Sequence, residues 1–294
     1  MTEERAATPY RSIWTHLRTV EFRQGFLDAA GVRTRFVEAG NPAAPPVVLL
    51  HGTGGHWETF APNLGPLAEH FHCVAIDMVG NGFSAKPDYD YEIQEYLAQV
   101  VAVLDHFEME RAAVVGMSLG AWVAAKLAVD HPARVERLIL MSPAGLLATA
   151  SNMARIRAER TRAVENPDWD SIKAMFDHLI ADERNRIPDV IALRQAIYRL
   201  PDTRATIDHL LILQDEQARE RNLIPEADWK AIAAPTLVVA SGRDHGEYQS
   251  TARRVAELIP DASVLEMPET KHWPHFEDPD VFNAAALDFL RREV

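Results

Sequence analysis

The sequence predicts an α/β fold in which a mostly parallel, twisted sheet is flanked by helices and interrupted by an all-helical insert. Two observations carry this. Short β-rich runs alternate with stretches of helical spacing through the first half of the chain, the pattern of βαβ units. A segment over 146–229 then lacks any convincing strand, and strand character returns at Thr236.

Taken in order, residues 23–28 and 32–38 read as a hairpin turning around Ala29-Ala30-Gly31. Buried-looking strands follow at Val47-Val48-Leu49-Leu50, Cys73-Val74-Ala75-Ile76, Ala113-Val114-Val115 and Leu138-Ile139-Leu140, most of them bounded by Gly, Pro or Asp. Helical spacing falls between them at 59–70, 92–107 and 119–131, the last stopping before Pro132 as a helix should. Over 146–229, Arg, Glu, Ala and Ile recur at helical spacing, broken at Pro167, Pro188, Pro201 and Pro225. Strands resume at Thr236-Leu237-Val238-Val239-Ala240 and from Ser263-Val264-Leu265 onward, with a helix between them and a final amphipathic helix over 279–292. No internal repeat is visible. Residues 1–145 and 230–294 therefore read as one core, and 146–229 as a helical cap or lid over the sheet's C-terminal edge.

A chain of 294 residues that is 47% hydrophobic and 25% charged suits one enzyme-sized globular unit with an insert. Its net charge of −13 repels phosphate backbones and anionic headgroups, so nucleic acid and membrane are disfavoured as partners. An acidic small substrate meets the same field, and a local Arg or Lys has to overcome it. Cys73 is the sole cysteine, which excludes an intrachain disulfide and reads as a buried thiol in a reducing compartment. Residues 1–10 are polar, carry Glu3, Glu4 and Arg5, and lack the apolar run of a secretory leader. With no stretch of membrane-spanning length, a cytoplasmic location is expected, and a homo-oligomer is left open.

Chemistry enters at Gly116-Met117-Ser118-Leu119-Gly120, a G-x-S-x-G pentapeptide placed between the strand at 113–115 and the helix from Leu119. That context separates it from a chance pentapeptide on a glycine turn. A serine in such a strand-to-helix turn is strained, its flanking glycines avoid clashes, and the helix N-terminus behind it offers free N–H groups where an oxyanion would form. A serine hydroxyl is a weak nucleophile, so it needs a base, and the base needs an orienting carboxylate. Asp244, directly after the strand ending at Ala240, and His272, before the last helix, occur in the required order after Ser118. His245 and His275 are rival bases, Glu247 is a rival acid, and Asp77 is a fallback acid that more naturally holds its own turn. The loop His51-Gly52-Thr53-Gly54-Gly55-His56 should supply a second donor arm. The N–H groups of Thr53 and Leu119 would complete an oxyanion hole worth roughly 3 kcal/mol per donor, with Gly54 letting backbone approach the substrate.

No cofactor or metal is called for. Gly80-Asn81-Gly82-Phe83-Ser84-Ala85 formally fits a dinucleotide fingerprint, but Lys86-Pro87-Asp88 follows where a helix should open, so it reads as a turn. Neither a phosphate-binding G-x-x-x-x-G-K-[ST] loop nor H-E-x-x-H occurs, and His70 with His72 reads as structural.

With these residues in place, the whole chain resembles the α/β-hydrolases with a helical cap, and its ends look most like the meta-cleavage-product hydrolases of aromatic degradation. The similarity lies in Lys271-His272-Trp273-Pro274, in Phe276-Glu277-Asp278-Pro279-Asp280-Val281-Phe282-Asn283, and in Arg194 within Ala192-Leu193-Arg194-Gln195-Ala196-Ile197. The resemblance implies cleavage of a C–C bond in a 2-hydroxy-6-oxo-dienoate, with Arg194 binding the carboxylate end and Trp273 lining the pocket. Two positions depart from the family. Met117 stands where Asn is common before the nucleophile, which removes a polar contact to the dienoate, and the Gly-rich loop lacks the usual Gly-Pro-Gly. The expected partner is a carboxylate-bearing small molecule, with a carboxylesterase or lactonase using an acyl-enzyme as the alternative.

Overall fold

A two-residue turn with both centres at positive φ, Ala30 at 54° and Gly31 at 79°, joins β1 (Phe22–Ala29) to β2 (Val32–Ala39), and Asp28 accepts the Gly31 N–H. That geometry matches the twist of an antiparallel pair, and the two strands pair along their whole length. The computed structural model describes residues 11–292; the polar stretch at residues 1–10 lies outside the described residues.

Six further strands extend the sheet: β3 (Pro46–Leu50), β4 (His72–Ile76), β5 (Ala112–Met117), β6 (Val135–Met141), β7 (Thr236–Ser241) and β8 (Ala262–Met267). Their order is β1-β2-β4-β3-β5-β6-β7-β8, antiparallel where β2 meets β1 and β4, and parallel from β4 to β8. The strand order reverses at β3, with β4 on one side and β5 on the other, so the loops after β3 and β5 diverge over a crevice at their C-terminal ends.

Side-chain alternation feeds a core on each face. Val48, Leu50, Val74, Ile76 and Val114 pack with the helices Ile93–His106, Leu119–Asp130 and Gly246–Leu258. Val47, Leu49, Cys73, Val115 and Met117 join the opposite core, with the helices Ala61–Ala68 and Pro279–Leu290. The predicted helix at 59–70 is split: a 3-10 turn, Trp57–Phe60, precedes the helix, which takes Pro62 in its first turn and ends at Ala68. Cys73 is buried, and burial pushes its thiol up to about 12.

Between β6 and β7 the described chain is helical, from Ala150–Glu165 through Trp169–Leu179 and Pro188–Tyr198 to Glu226–Ala231. Three of its four prolines start helices: Pro188 and Pro201 occupy first-turn positions and Pro225 is an N-cap, sites where a missing N–H costs nothing, while Pro167 precedes the N-cap Asp168 of the helix Trp169–Leu179. Ile172, Met175, Phe176, Ile191 and Tyr198 of this segment share the core that contains Met117 and Trp273, so the insert packs directly over the sheet edge. No helix of the described residues is long and apolar enough to cross a membrane.

Candidate active site

Ser118 sits between β5 and the helix Leu119–Asp130 with φ 55° and ψ −111°, a left-handed conformation that side chains rarely adopt. Its N–H donates to Met141 of β6 at 2.9 Å, which ties the turn to the sheet. The flanking glycines are sterically required. A Cβ on Gly116 would lie 2.3 Å from the Gly120 carbonyl oxygen, and one on Gly120 would lie 2.1 Å from that of Leu50. Leu119 opens the helix, so its N–H has no intrahelical acceptor.

His272 Nδ1 lies 3.0 Å from Asp244 Oδ2 and 3.2 Å from Oδ1, within a loop pair set by the ends of β7 and β8. Ser118 and His272 line one cavity of about 310 Å³ without a hydrogen bond between them. Such bonds are commonly long before substrate tightens them. The Tyr248 ring lies 4.4 Å from the His272 ring. The rival residues are engaged elsewhere. Glu247 accepts from Thr149 N–H and Oγ1, Asn152 and Arg219, joining the insert to the helix after Asp244. His275 is fully buried against Phe60 and Phe282, and burial lowers its pKa to about 3. His245 caps the helix Gly246–Leu258. Asp77 accepts from the N–H groups of Trp57 and Phe83 and from Arg35, so it fastens the two loops around it.

The loop after β3 is held by His51, whose Nδ1 bonds the Gly52 carbonyl at 2.7 Å while Nε2 accepts the Met78 N–H at 3.0 Å. Burial lowers its pKa to about 3, so the ring is neutral and fits both bonds. Gly54 takes φ +68° and donates to Asn81 Oδ1 at 2.7 Å. Thr53, Met117 and Trp273 share the cavity wall with Ser118. Gly54 and Arg194 are not among its lining residues. Residues 80–85 form turns with no helix, as their sequence implied.

Arg194 is fully buried in the helix Pro188–Tyr198, with its guanidinium 5.7–5.9 Å from the ring centres of Phe176, Tyr198 and Trp273. None of its three nitrogens has a hydrogen-bond partner among the described residues. Desolvation lowers its pKa to about 10, with the Arg160 charge adding to the fall and Tyr198 offsetting part of it. Arg160, Tyr198 and Tyr248 were not singled out in the sequence. Nothing in local spacing distinguishes Arg160 and Tyr198 from the many other polar residues of the helical insert, or Tyr248 from the other residues of the helix Gly246–Leu258.

Matches to known proteins agree with this arrangement. A family model described as the alpha/beta hydrolase fold matches residues 45–279. The chain is 29% identical over 280 residues to the 2-hydroxy-6-oxo-6-(2'-aminophenyl)hexa-2,4-dienoic acid hydrolase of Metapseudomonas resinovorans, covering 92% of this chain and 91% of that one. It is 29% identical over 272 residues to the 2-hydroxymuconate semialdehyde hydrolase of Pseudomonas sp. (strain CF600), covering 89% and 92%. The solved 2-hydroxy-6-oxo-6-phenylhexa-2,4-dienoate hydrolase from Rhodococcus sp. strain RHA1 superposes with a TM-score of 0.84 at 24% identity, covering 93% of this chain and 100% of that one. Sheet order, the strained serine turn and a family match over most of the length lead to one assignment: the chain belongs to the alpha/beta hydrolase fold family.

Proposed function

We propose that the protein is a serine hydrolase that cleaves a C–C bond in a 2-hydroxy-6-oxo-dienoate of the kind named for its relatives, with Ser118 as nucleophile, His272 as base and Asp244 as its orienting acid. The helical insert acts as the lid. His272 promotes ketonisation of the dienol, which turns the C5 side of the scissile bond into a competent leaving group. Ser118, or a water it activates, then attacks the C6 carbonyl, whose developing oxyanion is held by the N–H groups of Thr53 and Leu119. The C5–C6 bond breaks, its electron pair passes through the conjugated C3–C4 bond to the C2 oxygen, which takes the proton, and water completes release of a carboxylic acid and a 2-hydroxypentadienoate.

The observation that carries this reading is Arg194. A guanidinium buried among three aromatic rings with no acid beside it is costly unless a ligand supplies the anion. A neutral ester makes no use of it, whereas a dienoate brings a carboxylate. Exposing purified protein to a panel of yellow ring-fission dienoates should bleach the chromophore, with Ser118→Ala inactive and Arg194→Met impaired mainly in KM. Ester turnover that survives Arg194→Met, with no bleaching of any dienoate, would replace the proposal with a carboxylesterase or lactonase. Failure of a fluorophosphonate probe to label Ser118 would remove the nucleophile assignment altogether.

A further inference from the structure

Two arginines of the helical insert are buried without an acid beside them. Arg35 is paired with Glu58 and Asp77, Arg219 with Glu247, and Arg137 donates to the Arg292 carbonyl. Arg160 and Arg194, at 8% and 0% exposure, have no carboxylate in ion-pair reach among the described residues. Arg160 Nε has no hydrogen-bond partner there, and its Nη1 meets only the Met175 sulfur at 3.8 Å. The Tyr198 hydroxyl, on a side chain 2% exposed, is unpartnered as well.

The three groups converge. Gly54 leaves a gap where a Cβ would lie 2.7 Å from Tyr198 Oη and 3.7 Å from Arg160 Nε, so hydroxyl and guanidinium flank one point above the loop after β3. The Arg194 Cζ stands 5.8 Å from the centre of the Tyr198 ring. Arg160 also lines the cavity beside Ser118, Met117 and Trp273, which makes it the unpaired buried cation that faces the cavity.

We propose that Arg160, Tyr198 and Arg194 form one subsite for a 2-oxygenated carboxylate, in which Arg194 takes the carboxylate while Arg160 and Tyr198 donate to the oxygen on C2. This rests on the dienoate reading above and adds Arg160 and Tyr198 as specificity residues. The argument is a count of donors. A carboxylate gripped by one guanidinium presents both oxygens to that fork. A second guanidinium and a phenol at the same place need a third acceptor, and a 2-hydroxy or 2-oxo group supplies it on the adjacent carbon. Met117, at the end of β5, contributes no competing donor. A plain carboxylate leaves Arg160 buried and unpaired, and a site built to bond a polar group discriminates against ligands that lack it.

The test compares the dissociation constants of 2-oxopentanoate and pentanoate, by NMR titration, for the wild type, Arg160→Met, Arg160→Lys and Tyr198→Phe, with thermal unfolding to verify each fold. The wild type should prefer the 2-oxo acid by roughly tenfold to a hundredfold, as for a hydrogen bond to a charged donor. That preference should collapse in Arg160→Met and shrink in the other two. Equal binding of both acids by the wild type, or a preference that survives Arg160→Met, overturns the subsite. If Arg160→Met does not fold, an undiminished preference in both Arg160→Lys and Tyr198→Phe overturns it. Dienoate turnover by the wild type is scored separately: if it is absent while the 2-oxo preference and its collapse hold, the proposed reaction fails and the subsite stands.

Discussion

Asp244 faces His272 with both carboxylate oxygens, 3.0 and 3.2 Å from Nδ1, while Oδ1 also accepts the His245 N–H at 2.7 Å. The pair makes Nδ1 the donor of the imidazole and leaves Nε2 free to accept, which is the tautomer a base needs. Asp244→Asn keeps the shape but offers an amide N–H to Nδ1 and favours the other tautomer. Turnover number should fall on the order of 10³–10⁴-fold with a smaller change in KM. Steady-state kinetics check this, and a loss below tenfold would assign the orienting role elsewhere.

Arg194→Met should separate stability from function. Replacing a buried, unpartnered cation by an apolar chain of similar length removes a desolvation penalty, and such exchanges are often neutral or stabilising by about 1–4 kcal/mol. The variant should therefore unfold at a higher temperature than the wild type while its KM for a dienoate rises. A lower unfolding temperature would mean that the guanidinium supports the aromatic rings around it.

How much of this was legible in the sequence differs between its two halves. The parallel strands could be read because their residues are buried on both faces, so Val47-Val48-Leu49-Leu50 is apolar without alternation. The Ser118 turn could be read because its G-x-S-x-G spacing is local, Gly116 answering to a clash four residues on at Gly120, while the Leu50 carbonyl that excludes a side chain at Gly120 comes from the neighbouring strand β3. The meeting of Arg160, Tyr198 and Gly54 could not. It joins helix Ala150–Glu165, helix Pro188–Tyr198 and the loop after β3, and depends on how helices pack in the insert. The split at Trp57–Phe60 was hidden for a related reason: helical spacing continues through Pro62, and only the loop's attachment to Asp77 forces the tighter turn.

Gly54→Ala tests the gap over which the insert closes. At φ +68° an alanine is strained by roughly 1–2 kcal/mol, and its methyl would meet Tyr198 Oη at 2.7 Å. Stability should drop by about that strain, and KM for the dienoate should rise because the hydroxyl is displaced. The double variant Gly54→Ala with Tyr198→Phe should recover part of the stability and none of the binding. Full recovery of binding would remove Tyr198 from the subsite.

Glu277 fastens the loop carrying His272 to the insert, accepting the Lys271 N–H at 2.7 Å and the Ala181 N–H at 2.6 Å. Burial raises its pKa from 4.5 to about 7, with those backbone bonds and the Lys271 charge offsetting only part of the shift. A carboxyl raised on folding binds its proton more tightly in the native state, so its contribution is favourable to the fold below 4.5 and is lost as pH rises toward 7. Glu277→Gln holds the neutral form at every pH. The variant's unfolding temperature should therefore gain on the wild type as pH rises through that window and level off above it. A difference that stays flat with pH, measured by calorimetry, would place the Glu277 carboxyl back in the ordinary range and leave the loop's attachment independent of its charge.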